Sequence, residues 1–370
     1  MSDASFAGAM GAPGRGKGKS PVSFFEFWPG WLFYAPVVVY WVLKSLRYGS
    51  VTLPSLANPR IAAGGICGES KNEILNLAGP KARQWIANFV GLTTSGHRGG
   101  NDLALARNAM AETGLSYPVV AKPDMSCNGV GVRVVHNDAE LAGYLAAFPR
   151  ATALQLQALI PYEGEAGIFY IRRPGEAQGR ITSVTLKYAP TVTGDGKRSV
   201  RELIAADTRL NAVSALLLSK IGAKADTIPA DGERVRLVFV GNHCRGSTFK
   251  DGLDIVTPAL TARIDEIMHD MPDVYFSRID LRYDTLDALR EGRDFKIIEF
   301  NGSGSEATNI WDPAMTLGRA YTTQFFHYGE SFQIGAEIRR RLGLKPVGLL
   351  KLAALWWHQK RLMAAYPAND

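Results

Sequence analysis

Two short segments, FSRIDLRY at 276–283 and FKIIEFNGSGSEA at 295–307, alternate polar and apolar residues with a period of two. That period belongs to a β-strand, whose successive side chains point to opposite faces. On the first segment it places Arg278, Asp280 and Arg282 on one face and Ile279 and Leu281 on the other. On the second, Ile297, Glu299 and Asn301 share a face opposite Ile298 and Phe300. If the strands pair, Asp280, Glu299 and Asn301 converge as three oxygen ligands of the kind Mg²⁺ takes, the rest of its octahedron coming from phosphates and water. A salt-bridged sheet surface would show the same alternation. It would not need the Gly-rich turn NGSGSEA, which suits close approach of a ligand.

Around these strands, residues 115 to 325 alternate short β-branched runs with helical segments, an α+β texture. In YPVVAKPDMSCNGVGVRVVHNDAELAGYLAAF the pattern predicts a strand from Tyr117 to Lys122 and a turn at Asn128-Gly129. A second strand follows from Val130 to Val135, and Asp138 is expected to cap a helix. Gly129 and Gly131 carry no Cβ, so such a hairpin can lay its N–H groups over phosphates, with Lys122 supplying charge. An ordinary β-hairpin with an exposed Lys fits the same letters.

The stretch GGICGESK at 64–71 looks like a phosphate loop with its letters shuffled. A P-loop needs Lys directly after its second Gly and then a hydroxyl, whereas here Glu69 intervenes and Ser70 precedes Lys71. The chain therefore binds either no nucleotide or one held elsewhere. The chain has 370 residues, enough for two or three subdomains with sizeable cores. Its three cysteines, Cys67, Cys127 and Cys244, are too scattered for a disulfide framework or a zinc site, which fits a reducing, cytosolic setting.

The net charge of +7 is unevenly distributed. Residues 1–60 hold six basic and two acidic residues, and residues 339–370 hold seven and one, which leaves the body mildly acidic. A nucleic-acid partner is not expected, because its basic stripe would lie on the folded body. Residues 1–20 read as a disordered basic tail. The segment 21–57 holds a charge-free run from Trp28 to Leu43 interrupted by Pro29, Gly30 and Pro36. A spanning helix needs about 20 apolar residues, and basic residues flank both sides of this shorter run, so a hairpin or interfacial segment is expected. No small-residue cleavage site follows it, as a signal peptide would require. Near the other end, Leu349, Leu352, Trp356 and Met363 fall at helical spacing in a basic context. The two ends are expected to dock on an anionic membrane; packing against the body or a second subunit of a homodimer is the alternative.

The Lys122 strand with its hairpin, QLQALIPYEGEAG, LKYAPTVTGDGKRSVRELI and the Arg-x-Asp…Glu-x-Asn pair together resemble the ATP-grasp superfamily, specifically its carboxylate-amine ligases. The signature from Gly194 to Ile204 and the stretch from Ile228 to Asn242 look especially like the ATP-grasp domains of cyanophycin synthetase and bifunctional glutathione synthetase. The strand pair is similar to that of D-alanine–D-alanine ligase. The resemblance implies an ATP-grasp fold, two α+β subdomains gripping ATP, at residues 115–328. Residues 58–114 would form an abbreviated substrate or cap region, and 329–370 amphipathic basic helices.

It also implies roles. Lys122 would contact the α/β-phosphates and Lys187 the β/γ-phosphates. Gln157, Ala158, Leu159 and Ile160 would hold adenine, and Glu165 the ribose. Asp280, Glu299 and Asn301 match the Mg²⁺ ligands, while Arg278, assisted by Arg245, would steady an acyl phosphate and the tetrahedral intermediate formed from it. The implied reaction joins a small-molecule carboxylate to an amine, with ATP converted to ADP and phosphate; the apolar, basic ends add the expectation of a lipid-linked substrate at the cytoplasmic face of the cell membrane. A kinase of the same fold, phosphorylating a hydroxyl, is the alternative. Relatives with a full Rossmann-like domain ahead of the grasp differ from this chain, whose acceptor site must be built otherwise. Gly64, Gly65, Ser70 and Lys71 at a helix start, with His243 and Ser305, are the candidates for that substrate site.

Overall fold

The computed structural model describes residues 22–26, 28–95, 101–239 and 246–367. Over these residues the chain is an α+β protein in which every named strand pairing is antiparallel. Helix α1 (Gly30–Tyr48) is followed by two short helices, α2 (Lys71–Asn76) and α3 (Pro80–Arg83). Next come β1 (Phe89–Thr93), α4 (Asp102–Glu112), β2 (Val119–Pro123), β3 (Arg133–Val135), α5 (Asp138–Ala147) and β4 (Ala153–Ala158). The four strands form one sheet in the order β1-β4-β2-β3. Val119, Ala121, Leu154 and Leu156 bury against Met110 of α4 and Tyr144 and Leu145 of α5, which makes this first lobe a layer of helix on sheet.

The hairpin between β2 and β3 turns where its sequence says it should. Asn128 and Gly129 have φ of 55° and 67°, and Val130 N–H donates to Cys127 C=O at 3.2 Å. Both central residues are left-handed, the condition that selects Asn-Gly. β3 is shorter than the alternation predicts, and the cap of α5 is Asn137, whose side chain accepts from Glu140 N–H at 3.0 Å. Asp138 instead accepts from Tyr117 Oη at 2.9 Å.

The second lobe is a five-stranded sheet built from β5 (Gly164–Ile171), β6 (Arg180–Tyr188), β9 (Thr248–Asp251), β10 (Phe276–Tyr283) and β11 (Phe295–Asn301). Its strand order is β11-β10-β5-β6-β9. Helix α9 (Pro258–His269) covers one face, where Ile168, Ile279, Leu281 and Ile297 meet Leu260, Ile264 and Ile267, with α10 (Leu286–Arg290) alongside. Between β6 and β9 lies a small unit of β7 (Thr191–Thr193), β8 (Arg234–Arg236), α6 (Val200–Ala206), α7 (Thr208–Ala212) and α8 (Ser214–Ile221). The Gly194–Ile204 signature sits here and is explained by its own geometry. The Asp195 carboxylate accepts from the N–H groups of Lys197 and Arg198, Ser199 and Glu202 form a capping box, and Ile204 is fully buried.

The opposite face of the five-stranded sheet changes character along its strands. Phe169, Ile171 and Phe276 are buried with Phe332 and Ile338 of the long helix α11 (Leu317–Leu342). One step further along the same face come Gly167, Glu165, Arg278 and Asp280, which line a cavity or open onto it. α1 packs along α11 through Phe33 on Tyr321 and Tyr40 on Phe325, with ring centroids 5.5 and 4.7 Å apart. It is a continuous helix, not a hairpin: Pro29 sits just before its first turn, where a missing N–H costs nothing, and the helix runs on through Pro36. Among the described residues no helix is long and apolar enough to cross a membrane.

The last helix, α12 (Leu349–Ala365), turns Leu352, Leu355, Gln359 and Met363 inward and leaves Leu349 and Trp356 exposed. The inward stripe is thus rotated from the Leu349, Leu352, Trp356, Met363 line, because Gln359 Oε1 is held by Gly68 N–H at 3.0 Å and Tyr366 stacks on Phe148.

Candidate active site

A cavity of about 610 Å³ lies between the lobes, beneath α12. Strand register explains how it is furnished. Asp280 faces Glu299 on β11 and Gly167 on β5; Arg278 faces Asn301; Arg282 faces Glu165; and Glu165 faces Lys187 on β6. The row Lys187–Glu165–Arg282 therefore alternates in charge across three strands. Gly167 stands in the neighbouring row, between Thr185 and Asp280. A Cβ built there would stand 3.0 Å from Asp280 Oδ1 and 3.6 Å from Lys187 Cε, so a side chain would crowd the ion pair that reaches across it.

Lys187 Nζ donates to Asp280 Oδ1 at 2.9 Å and to Glu165 Oε1 at 3.2 Å. Arg278 Nη2 donates to Asp280 Oδ2 at 3.1 Å, and Asn301 Nδ2 donates to the same oxygen at 3.1 Å. Burial alone would raise the Asp280 carboxyl, but the charges of Arg278 and Lys187 outweigh it and hold the group at about 2. Burial likewise opposes the Lys187 charge, and Asp280 and Glu165 overcome it, so this ammonium stays above its ordinary value. The site is an ionised network on a sheet face that turns apolar at Phe169 and Phe276.

The second strand departs from simple alternation. Asp280 pairs with Glu299 and Leu281 with Ile297, so Ile298 is an extra residue, a β-bulge. Its effect is that Ile297 and Phe300 both enter the core, while Ile298, Glu299 and Asn301 line the cavity. The expectation that Ile297 shares the face of Glu299 is therefore corrected by one inserted residue. The bulge also aims the Ile298 carbonyl across the cavity, where it accepts from Lys122 Nζ at 3.0 Å. Lys122 also donates to Gln157 Oε1 at 2.8 Å, and burial pulls its ammonium down to about 8 although the Glu299 charge opposes this.

Gly129, Gln157, Ala158, Leu159, Ile160 and Glu165 all line the cavity. Gly131 does not: its carbonyl accepts from Tyr144 Oη at 2.9 Å, and a Cβ would stand 2.6 Å from Pro123 Cγ. Its role is to let the hairpin base pack. His243 and Arg245 lie outside the described residues.

The shuffled phosphate loop meets the same cavity. Lys71, nearly buried, pairs with Glu299 at 3.3 Å and donates to Ser126 C=O at 2.7 Å. Gly65 and Ser305 are also on the wall, whereas Gly64 and Ser70 are not. Ser70 caps α2, its side chain accepting from Glu73 N–H. Gly64 and Gly65 accept from the N–H groups of Ser303 and Gly304 at 3.0 and 2.6 Å. A Cβ on Gly65 would stand 2.5 Å from Gly302 Cα, and Gly65 has φ of +76°. The two Gly-rich stretches therefore support one another backbone to backbone and seat the turn after Asn301.

Several wall residues escaped sequence reasoning. Glu69 lines the cavity with its carboxyl raised by burial. Glu306 accepts from Tyr34 Oη, Trp311 Nε1 and Gln324 Nε2, each at 2.9 Å, and so ties α1 and α11 to the site. Trp356, Gln359 and Lys360 come from α12, too far along the chain for any local signal. Glu69 and Glu306 did carry one, being acidic residues inside Gly-rich loops.

Among the described residues no three or more His, Cys, Asp or Glu side chains gather as a metal site. What is present is two carboxylates and an amide, Asp280, Glu299 and Asn301, a hard-oxygen set that fits Mg²⁺ sharing its remaining positions with phosphates and water.

No protein-family model matches the chain. The glutathione biosynthesis bifunctional protein GshAB of Streptococcus thermophilus is 28% identical over 171 residues, 39% of this chain and 21% of that protein. The chain thus spans about a fifth of the length of the curated relatives it matches. The crystal structure of a bifunctional glutathione synthetase from Pasteurella multocida is similar at a TM-score of 0.36 and 20% identity, covering 66% of this chain and 35% of that one. For the D-alanine–D-alanine ligase of Bacillus anthracis the TM-score is 0.38 at 14% identity, covering 76% and 71%.

Proposed function

We propose that the chain is an ATP-dependent carboxylate-amine ligase of the ATP-grasp type. The observation that carries this reading is the pairing of two buried lysines with oxygen ligands across one inter-lobe cavity: Lys187 on Asp280, and Lys122 above the bulge that presents Glu299. Buried cations facing carboxylates and an amide are what a triphosphate with its metal requires, because phosphoryl transfer is mainly positioning and charge neutralisation. Lys122 and Lys187 bind phosphate oxygens, Gln157 to Ile160 hold the base and Glu165 the ribose. Asp280, Glu299 and Asn301 would hold Mg²⁺, which when bound neutralises phosphate charge.

In the proposed reaction a carboxylate oxygen attacks the γ-phosphorus as the bond to ADP breaks. The amine nitrogen then attacks the acyl carbon, phosphate leaves and the amine proton is lost. Arg278 stands beside Asp280 with Nη1 donating to Glu306 C=O at 3.2 Å, a position from which it steadies the oxyanions of both steps. α12 over the cavity mouth keeps water from the activated acyl group. His327, the histidine packed beneath the sheet, is held to about 4 by burial and is a neutral core residue. No histidine is needed for the chemistry.

The test is ADP release across panels of carboxylates and amines, with the product identified by mass. An amide whose formation needs both partners is expected. A stable phosphorylated product, formed without dependence on the amine, would replace the reading with a kinase.

We place the enzyme at a membrane surface, acting on an amphiphilic or lipid-linked substrate. Support comes from the outward side of α1, where Trp31, Val39, Leu43 and Leu46 are exposed at 76, 59, 59 and 74% beside Lys44 and Arg47. Co-sedimentation with anionic vesicles is expected and should weaken in high salt, since the basic contribution is screened. Trp31→Ser with Leu46→Ser should remove most of it while ADP release persists. Equal sedimentation of this variant would mean that α1 is not the contact.

A further inference from the structure

A second cavity, of about 520 Å³, lies beside the first. Its wall is Val37, Val38, Trp41 and Val42 of α1 together with Val51, Ile66 and Ser303, and among the described residues no charged side chain lines it. Tyr34, Ile66, Gly304 and Tyr328 line both cavities, so the apolar groove ends at the residues that bound the reaction centre. From Tyr34 to Val42 the helix supplies about 12 Å of this wall, at roughly 1.5 Å per residue. Val38, Val42 and Val51 are 59, 48 and 38% exposed, so the protein itself leaves the groove uncovered.

We infer that this groove binds the alkyl or acyl chain of the carboxylate substrate, whose carboxyl group is brought to Arg278 and Lys187, an assignment that rests on the ligase reading above. Three observations meet here. The groove is uncharged and mainly apolar, it abuts a strongly charged cavity, and the boundary residues are two tyrosines, an isoleucine and a glycine. Tyr34 turns its hydroxyl to Glu306 and its ring to the groove, which fits the junction of a polar head with a chain. At Gly304 only backbone stands at the boundary, its N–H bound to Gly65 C=O at 2.6 Å. A small polar substrate would use none of this wall, and the groove would remain an unpartnered apolar surface next to an active site.

The test uses the full chain, MgATP, hydroxylamine as nucleophile and N-acylglycines of two to twelve acyl carbons as carboxylate probes. The expected result is kcat/KM rising about three- to four-fold per methylene until the groove is filled. Val38→Trp, which puts an indole into the groove, should abolish that gain and leave the two-carbon probe unaffected. Val39→Trp, equally exposed but outside the groove, should behave as the parent. Turnover without any dependence on chain length would overturn the groove assignment and leave the ligase reading standing. A measurement independent of turnover uses a dodecanoyl photoaffinity probe, whose crosslinks should map to the peptides holding Trp41 and Val51 and vanish in Val38→Trp. Crosslinks there without ATP turnover on any probe would retain the groove and sink the ligase. Labelling elsewhere would overturn the groove whatever the turnover.

Discussion

Glu299→Gln is expected to lower MgATP-dependent ADP release by on the order of 10³-fold, with little change in stability. The loss follows from removing one of the two carboxylates assigned to Mg²⁺, in a site where fixed charge does most of the catalytic work. The fold should survive because the Glu299 side chain is partly exposed at 27%, and its partner Lys71 keeps its bond to Ser126 C=O. A second readout separates charge from shape. Burial already holds Lys122 near 8, and Glu299 is the largest of the charges that oppose it. Lys122 binds phosphate as the ammonium, so kcat/KM for ATP should fall as pH rises through about 8 in the parent protein. Without the Glu299 charge that alkaline limb should move to lower pH. Unchanged turnover, or an unmoved limb, would remove Glu299 from the site.

Lys187→Met should be still more damaging, because it strikes stability and activity together. Lys187 is nearly buried and satisfies one buried carboxylate, Asp280 at 2.9 Å, and one half-buried, Glu165 at 3.2 Å. Removing one partner of such a network leaves charge uncompensated, at a cost of about 3 kcal/mol or more. The sign of its pH dependence can be worked out. Asp280 is held at about 2 partly by Lys187, so in the variant its folded pKa rises. Protonation then relieves the unpaired charge. The deficit in melting temperature relative to the parent is therefore expected to be full near neutrality and to shrink as pH falls through the raised value. A deficit constant from pH 4 to pH 8, measured by thermal unfolding, would mean that lost packing and not charge explains it. Binding of ATP should weaken at all pH values, since the ammonium facing the phosphates is gone.

The charged row of the second lobe was readable from the alternation of FSRIDLRY, because a strand's period of two is local and each residue declares its face. The Asn-Gly turn was readable for a similar reason, since two successive left-handed residues select those letters. The bulge at Ile298 was not. A single inserted residue is defined by the partner strand, and nothing in FKIIEFN says which of two adjacent isoleucines is extra. The shuffled phosphate loop was half legible. Its glycines announced a close approach, but the thing approached is the turn at Gly302, more than two hundred residues away. Lys71 reaches the cavity through that contact, paired with Glu299. The helix at the C-terminal end was legible as a helix, but the side it turns inward was not, because Gln359 and Tyr366 find partners only in the assembled protein. Local periodicity gives elements and faces; which elements share a wall is decided by long-range packing.

The central claim, that a carboxylate is activated by phosphoryl transfer, is tested most directly by following oxygen. With any carboxylate that supports ADP release, ¹⁸O in the carboxyl group should appear in the released phosphate, one labelled oxygen for each amide formed, because the acyl carbon gives up that oxygen when the amine attacks. Label retained wholly in the organic product, with phosphate unlabelled or bound to a hydroxyl, would contradict the account.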